Sequence, residues 1–399
     1  MNRADTLPRL LARNAARWPH RPTWRHKRLG IWETQTWAAF AQRCNDIARG
    51  LAANGFTRGD RLAVLGDNRP DLYAALLAAQ SLGGVGVPLD PDTDSARLAA
   101  ILQDARAGIA IADTVDQADR LVSLADALPS PVRVFCADTG GFNRHDVWER
   151  SSLDALAGDG RGDANAASPP HAGLGRGEGE YSEPEPQDLA LLLYPAEPKS
   201  PPLPLSHTQL ITAAEAIAAA DPAHPADEAF CYLPMSRYED ALYSLTLGLL
   251  CGFVCNCPEA PDSVLRDLRE IGPTILFAPT EACNALAQVV SSKAASVTGL
   301  KRRSFTFFQR LALQAEACRE QGRPVPMRVA VGCRIGEYAA YAPVRDQLGL
   351  SRARWVHTDG TLPADTARLL RALGVALRPA AAHAPAPDPA HEAPETLHA

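Results

Sequence analysis

Residues 61–90 read RLAVLGDNRPDLYAALLAAQSLGGVGVPLD, and this stretch decides the fold. It opens on a turn and a short apolar run, RLAVL, continues as a helical stretch from Arg69 to Gly84, and closes on a second apolar run, VGVPLD. Short apolar runs that alternate with helices, and that are apolar throughout, specify a parallel sheet covered on both faces.

The alternation extends in both directions. Upstream, TWAAFAQRCNDIARGLAANGF places Trp37, Phe40, Cys44, Ile47 and Leu51 at helical spacing, with Thr36 as N-cap and Gly55 as the stop. Downstream, DSARLAAILQDARAGIAIAD and VDQADRLVSLADALPSPVRVFCAD repeat the helix and strand. Residues 1–138 therefore read as a first α/β subdomain. From 139 to 187 the composition shifts to Gly, Ala, Asp, Glu, Ser and Pro, which cannot bury enough apolar surface to order itself, and this segment reads as a disordered or mobile linker. Residues 188–378 read as a second α/β subdomain. Its strands are expected at 189–194, 229–233, 252–256, 274–278 and 353–357, and its helices at 207–219, 237–250, 261–270, 281–291, 302–320, 335–347 and 363–373. Residues 379–399 form an Ala/Pro tail read as disordered.

Composition excludes several function classes. The formal net charge of -6 offers no footprint for nucleic acid. No apolar run approaches the ~18–20 residues needed to span a bilayer, and Arg13 and Arg17 interrupt the N-terminal apolar stretch where a signal peptide would need an apolar core. The cysteines are odd in number and lack a C-x-x-C pair, which fits reduced thiols and a cytoplasmic location. Cys251, Cys255 and Cys257 lie in the apolar run LLCGFVCNCPE and read as buried structural thiols, not metal ligands. Ser206-His207 lacks the G-x-S-x-G elbow of a hydrolase, and His357, His383, His391 and His398 are too dispersed for a metal site.

Several stretches, in order from Thr6 to Leu377, resemble the adenylate-forming (AMP-binding, acyl-CoA synthetase/ligase) superfamily, in particular the N-terminal domain of bacterial long-chain fatty-acid–CoA ligases. They are LPRLLARNAARWPHRPTWRHKRLGIWETQTWAAF, GDRLAVLGDNRPDLYAALLAAQSLGGVGVPLDP, LSHTQL, YLPMSRYEDALYSLTLGLLCGFVCNCPEAPDSVLRDLREIGPTILFAPT and APVRDQLGLSRARWVHTDGTLPADTARLLRALGVAL. The resemblance implies an α/β fold of two abutting, mostly parallel sheets flanked by helices, incomplete at the C-terminus. Such enzymes use ATP and Mg to form an acyl-adenylate and pass the acyl group to CoA.

Set against the family's motifs, the site residues are altered. Where the family has a Tyr-Thr-Ser-Gly-Thr-Thr-Gly-x-Pro-Lys-Gly phosphate loop, this chain has PAEPKSPPLP between Tyr194 and Leu205, with five prolines and no glycine. Each proline removes an N–H donor, and Glu197 brings negative charge to the phosphate position. Tyr194, Lys199, Ser206 and His207 are the remnants of that nucleotide site. Arg237 stands at the position that closes over the acyl carboxylate. Asp359 and Gly360, in TDGTLP, stand at the adenine turn. After RALGVAL the chain reads RPAAAHAPAP in place of the strand that carries the family's magnesium glutamate. No catalytic residue, no metal ligand and no firmly held cofactor is expected.

Three readings follow: an inactive pseudoenzyme that binds an acyl ligand or an active relative, one half of a split acyl-CoA ligase completed by another chain, or a decayed, frameshifted fragment. The expected partners are accordingly an acyl group, an active relative in a heteromer, or a chain supplying the missing C-terminal part.

Overall fold

The computed structural model describes residues 5–125, 128–140, 151–159, 183–197, 200–296 and 299–379. Its strands in chain order are β1 (Pro22–Arg28), β2 (Ile31–Thr36), β3 (Arg61–Leu65), β4 (Val85–Leu89), β5 (Ile109–Thr114), β6 (Arg133–Asp138), β7 (Leu189–Leu193), β8 (Leu203–Ser206), β9 (Glu228–Phe230), β10 (Val254–Cys257), β11 (Ile275–Phe277), β12 (Trp355–Thr358) and β13 (Leu377–Pro379). The helices that matter for the site are α1 (Leu7–Arg17), α2 (Trp37–Ala53), α3 (Pro70–Ser81), α4 (Ser95–Ala105), α5 (Val115–Ala125), α6 (Leu153–Asp159) and α7 (His207–Ala220).

The chain divides into two compact units: one runs to Pro225 and takes back Cys231–Cys257, and the other holds Ala226–Phe230 and the chain from Pro258. The first unit contains a six-stranded sheet in the order β6-β5-β3-β4-β7-β8, parallel except for β8, which runs antiparallel to β7. In the same unit β1 pairs antiparallel with β2 and parallel with β10. Helix α3 lies between these sheets. Its residues are apolar nearly all round and buried from Leu72 to Ser81, as a helix covered on every side must be. Trp24 of β1 stacks on Tyr73 of α3 with ring centroids 4.4 Å apart and leans on Phe40 of α2 at 5.7 Å. The stretch at 61–90 thus supplies two neighbouring parallel strands and the helix that abuts both sheets.

Expectation and structure part at three places. The strands and helix at 189–220, assigned from sequence to a second subdomain of residues 188–378, cluster with the N-terminal residues, because β7 adds to the sheet beside β4 with Leu191 opposite Gly86. Within the expected linker 139–187, residues 141–150 and 160–182 lie outside the described residues, as does the tail from 380. Leu153–Asp159, however, forms helix α6 with Leu153 and Leu156 fully buried. Residues 22–36, to which the sequence analysis assigns no element, form β1 and β2, and His26 and Lys27 of β1 are buried.

The expected helix 237–250 is Tyr238–Asp240, a π turn over Ala241–Thr246, and Leu247–Cys251. In that turn Thr246 Oγ1 donates to the Ala241 carbonyl at 2.7 Å, a bond that accommodates the extra residue. Cys255 and Cys257 are buried and Cys251 is half-buried, all as free thiols.

In the second unit β9, β11, β12 and β13 lie in that order and run parallel. Asp227, just before β9, accepts from Thr274 Oγ1 at 2.7 Å and from Arg354 at 2.8 Å, tying the starts of three strands together. Among the described residues no helix is long and apolar enough to cross a membrane.

Candidate functional site

In an open parallel sheet, the loops beyond the carboxyl ends of the strands leave the crevice where ligands settle. Here a cleft of about 720 Å³ opens beyond β4 and β7, lined by Asp90, Asp92, Arg97, Tyr194, Glu197 and Arg237 among others. Its lining combines apolar residues, among them Pro88, Leu89, Leu193 and Leu203, with charged ones.

The loop after β7 is held by a residue that sequence reasoning missed. Arg97 of α4 points an Nη2 group at the loop, donating to the Pro195 carbonyl and, at 3.4 Å, to the Glu197 carbonyl. Loop carbonyls thus face the cation, where a phosphate cradle would present N–H groups. Tyr194 donates its hydroxyl to Asp104 Oδ2 at 2.6 Å, and burial, with Asp104 adding to it, pushes the phenol above its ordinary range. Arg237 lines the cleft with its Nε turned to Glu239 Oε2 at 3.2 Å. Asp90, Asp92, Asp94, Glu197 and Glu239 line the same cleft against Arg97 and Arg237. Carboxylates outnumber guanidinium groups, Arg97 is turned to carbonyls and Arg237 to a carboxylate. These residues do not fit a triphosphate.

Ser206 and His207 serve the scaffold. Ser206 caps α7: its Oγ accepts from the Gln209 N–H at 3.2 Å, and Gln209 Oε1 accepts from the Ser206 N–H at 2.9 Å. His207 is buried, and its Nδ1 accepts from the Leu7 N–H at 3.2 Å, fixing the start of α1. Lys199 lies outside the described residues. In the second unit, Asp359 Oδ1 accepts from the N–H and Oγ1 of Thr280 at 2.9 and 2.8 Å and so caps the helix Thr280–Ser296. A Cβ added at Gly360 would meet nothing within 4 Å, so this turn does not need glycine for space. His357 is buried with its ring 4.3 Å from that of Trp355, and among the described residues no group of His, Cys, Asp and Glu could hold a metal.

A charged cluster around the buried Asp113, at the carboxyl ends of β3, β5 and β6, also escaped the sequence reading, because its members are scattered singly along the chain. Arg69 contacts Asp113 at 2.9 Å and Asp138 at 3.2 Å, and Arg28 reaches Asp138 at 3.6 Å. Burial, opposed by Arg69, pushes the Asp113 carboxyl up to about 7, while burial, helped by Arg69 and Arg28, holds His26 down to about 4.

The two shifts have opposite signs in stability. The unfolded chain loses the Asp113 proton near ~3.9, so stability falls as pH rises from there to the folded value. The unfolded chain protonates His26 near ~6.5, so stability falls as pH drops from there towards the folded value. Between roughly pH 4 and 6.5 these two slopes offset each other; above that, up to about pH 7, only the Asp113 slope of the pair remains. Relative to the parent, Tm should fall more steeply with rising pH in His26→Gln and less steeply in Asp113→Asn. Slopes equal to the parent's in both variants would refute the assignment.

The profile of the family described as "AMP-binding enzyme" matches residues 11–374. The rat long-chain-fatty-acid–CoA ligase ACSBG2 is 21% identical over 355 residues, covering 86% of this chain and 51% of that protein. This chain thus spans about half the length of that relative. Among solved structures, VinN with L-aspartate superposes with a TM-score of 0.63 at 20% identity, covering 93% of this chain and 74% of VinN. The A-PCP didomain of a carboxylic acid reductase from Segniliparus rugosus, in complex with AMP, superposes with a TM-score of 0.66 at 18% identity, covering 94% of this chain and 51% of the didomain.

Proposed function

This chain belongs to the AMP-binding enzyme family, and we propose that it is a catalytically silent member that binds an acyl ligand in the cleft beyond β4 and β7. One observation carries the reading: the loop at the proposed phosphate position is held through its carbonyls by Arg97, in a cleft where carboxylates outnumber cations among the described lining residues. The apolar lining residues Pro88, Leu89, Leu193 and Leu203 support an acyl ligand, and Arg237, which lines the same cleft, is the cation proposed to meet its polar head through its Nη groups. The rat relative, a long-chain-fatty-acid–CoA ligase, supports the acyl class.

The test is a thermal melt with and without a non-hydrolysable long-chain acyl-adenylate analogue. Ligand at about 100 times its Kd stabilises a fold by ~2.7 kcal/mol, a shift of a few degrees. The shift should vanish in Arg237→Ala. No shift in a cooperatively melting protein would end the ligand-binding reading and leave association with an active relative as the role to test.

A further inference from the structure

We propose that the amino-terminal end of the same six-stranded sheet carries a second site, which takes the phosphate group of a small phosphorylated molecule. A hollow of about 450 Å³ opens there, at the end of the sheet opposite the cleft, and is lined by Arg61, Arg106 and Arg133 with Asp60 as its sole carboxylate among the described lining residues. Its volume lies within the ~300–1,000 Å³ of small-molecule sites.

Each arginine comes from a different element: Arg61 opens β3, Arg133 opens β6, and Arg106 follows α4. The one carboxylate is already occupied: Asp60 Oδ2 accepts from the N–H and Oγ1 of Thr57 at 2.7 and 2.9 Å. Arg61 spends one Nη1 group on the Gly59 carbonyl at 3.0 Å, and Arg133 spends one on Asn54, at 2.6 Å to Oδ1. A guanidinium carries five N–H donors in a planar fork suited to phosphate, so donors remain on both.

Arg106 is the least explained by packing. It has φ 52, in the left-handed region that the end of a helix ordinarily gives to glycine. Its side chain is exposed, with no hydrogen bond or ion pair to any described residue. A residue that bears backbone strain, and whose charge the fold does not use, points to a ligand. Beside the arginines, Gly55 and Gly108 leave open space where a Cβ would stand, while Phe56, Pro131 and Val132 offer an apolar wall for the organic part of the ligand.

Calorimetric titration of the full chain at constant ionic strength, with pyrophosphate and inorganic phosphate as probes, tests this. Saturable binding of one pyrophosphate is expected, weakened at least tenfold in Arg106→Gly and in Arg61→Gln and unchanged in Arg237→Ala. Arg106→Gly relieves the left-handed backbone, so it should fold at least as well as the parent, and lost binding there is not lost structure. Absence of saturable heat, equal affinity in Arg106→Gly, or loss of binding in Arg237→Ala would each overturn the site. Chloride competing as well as inorganic phosphate would reduce it to a plain basic patch and overturn it too.

Discussion

Offered ATP, magnesium and a long-chain fatty acid, the purified chain is expected to release pyrophosphate no faster than a buffer blank, and to show no fatty-acid-dependent exchange of labelled pyrophosphate into ATP. Adenylyl transfer depends on positioning and charge neutralisation at the phosphates, with little covalent chemistry from the protein. A single lost donor to developing charge costs ~10²–10³ in rate. Between Tyr194 and Leu205 this chain has no glycine to fold round a phosphate, and five prolines have no N–H to donate. Arg97, which lines the cleft, is turned to the loop's own carbonyls. Groups that act as a unit fail as a unit, so the expected loss exceeds ~10⁴-fold and falls below detection. Exchange that depends on the fatty acid, and that disappears in Arg97→Ala, would sink the silent-enzyme reading and make Arg97 a phosphate ligand.

The parts of the fold that were legible in the sequence are those where one local pattern decides the outcome. Residues 61–90 gave strand, helix and strand because RLAVL and VGVPL are buried on both faces and α3 is apolar all round. Legibility ended where partners come from far along the chain. His26 and Lys27 look wrong for a buried strand until β10 is known to lie beside β1. The Pro-rich, Gly-free run between Tyr194 and Leu205 was visible as composition. Its clamp was not, because Arg97 sits on an amphipathic helix where an arginine ordinarily faces water. Ser206 and His207 show the converse. The resemblance sets them at nucleotide positions, and the bonds observed for them cap α7 and anchor α1, partnerships that motif position does not reveal.

Replacing Gly50 by alanine is expected to destabilise the protein by several kcal/mol, although alanine in the middle of a helix normally gains about 1 kcal/mol over glycine. Gly50 lies in the interior of α2, and a Cβ there would stand 1.9 Å from the Leu156 carbonyl oxygen and 2.6 Å from its carbon. Both are backbone atoms of α6, so no rotamer change relieves the clash and the short helix must move. Moving it exposes Leu153 and Leu156, now fully buried, and burial of a leucine contributes ~1.5–3 kcal/mol. It also parts Asp154 from Arg43, now 2.7 Å apart, though with Asp154 largely exposed that pair adds little. Freed entropy in the short helix offsets part of this loss. Urea denaturation should show a lower midpoint for Gly50→Ala, and limited proteolysis should show faster cleavage within 151–159. Ala52→Gly, on the same helix, should lose only about 1 kcal/mol and leave the cleavage rate unchanged. If Gly50→Ala instead gains about 1 kcal/mol, propensity alone governs the position and α6 is not docked on α2. The segment would then be the linker that its composition suggests.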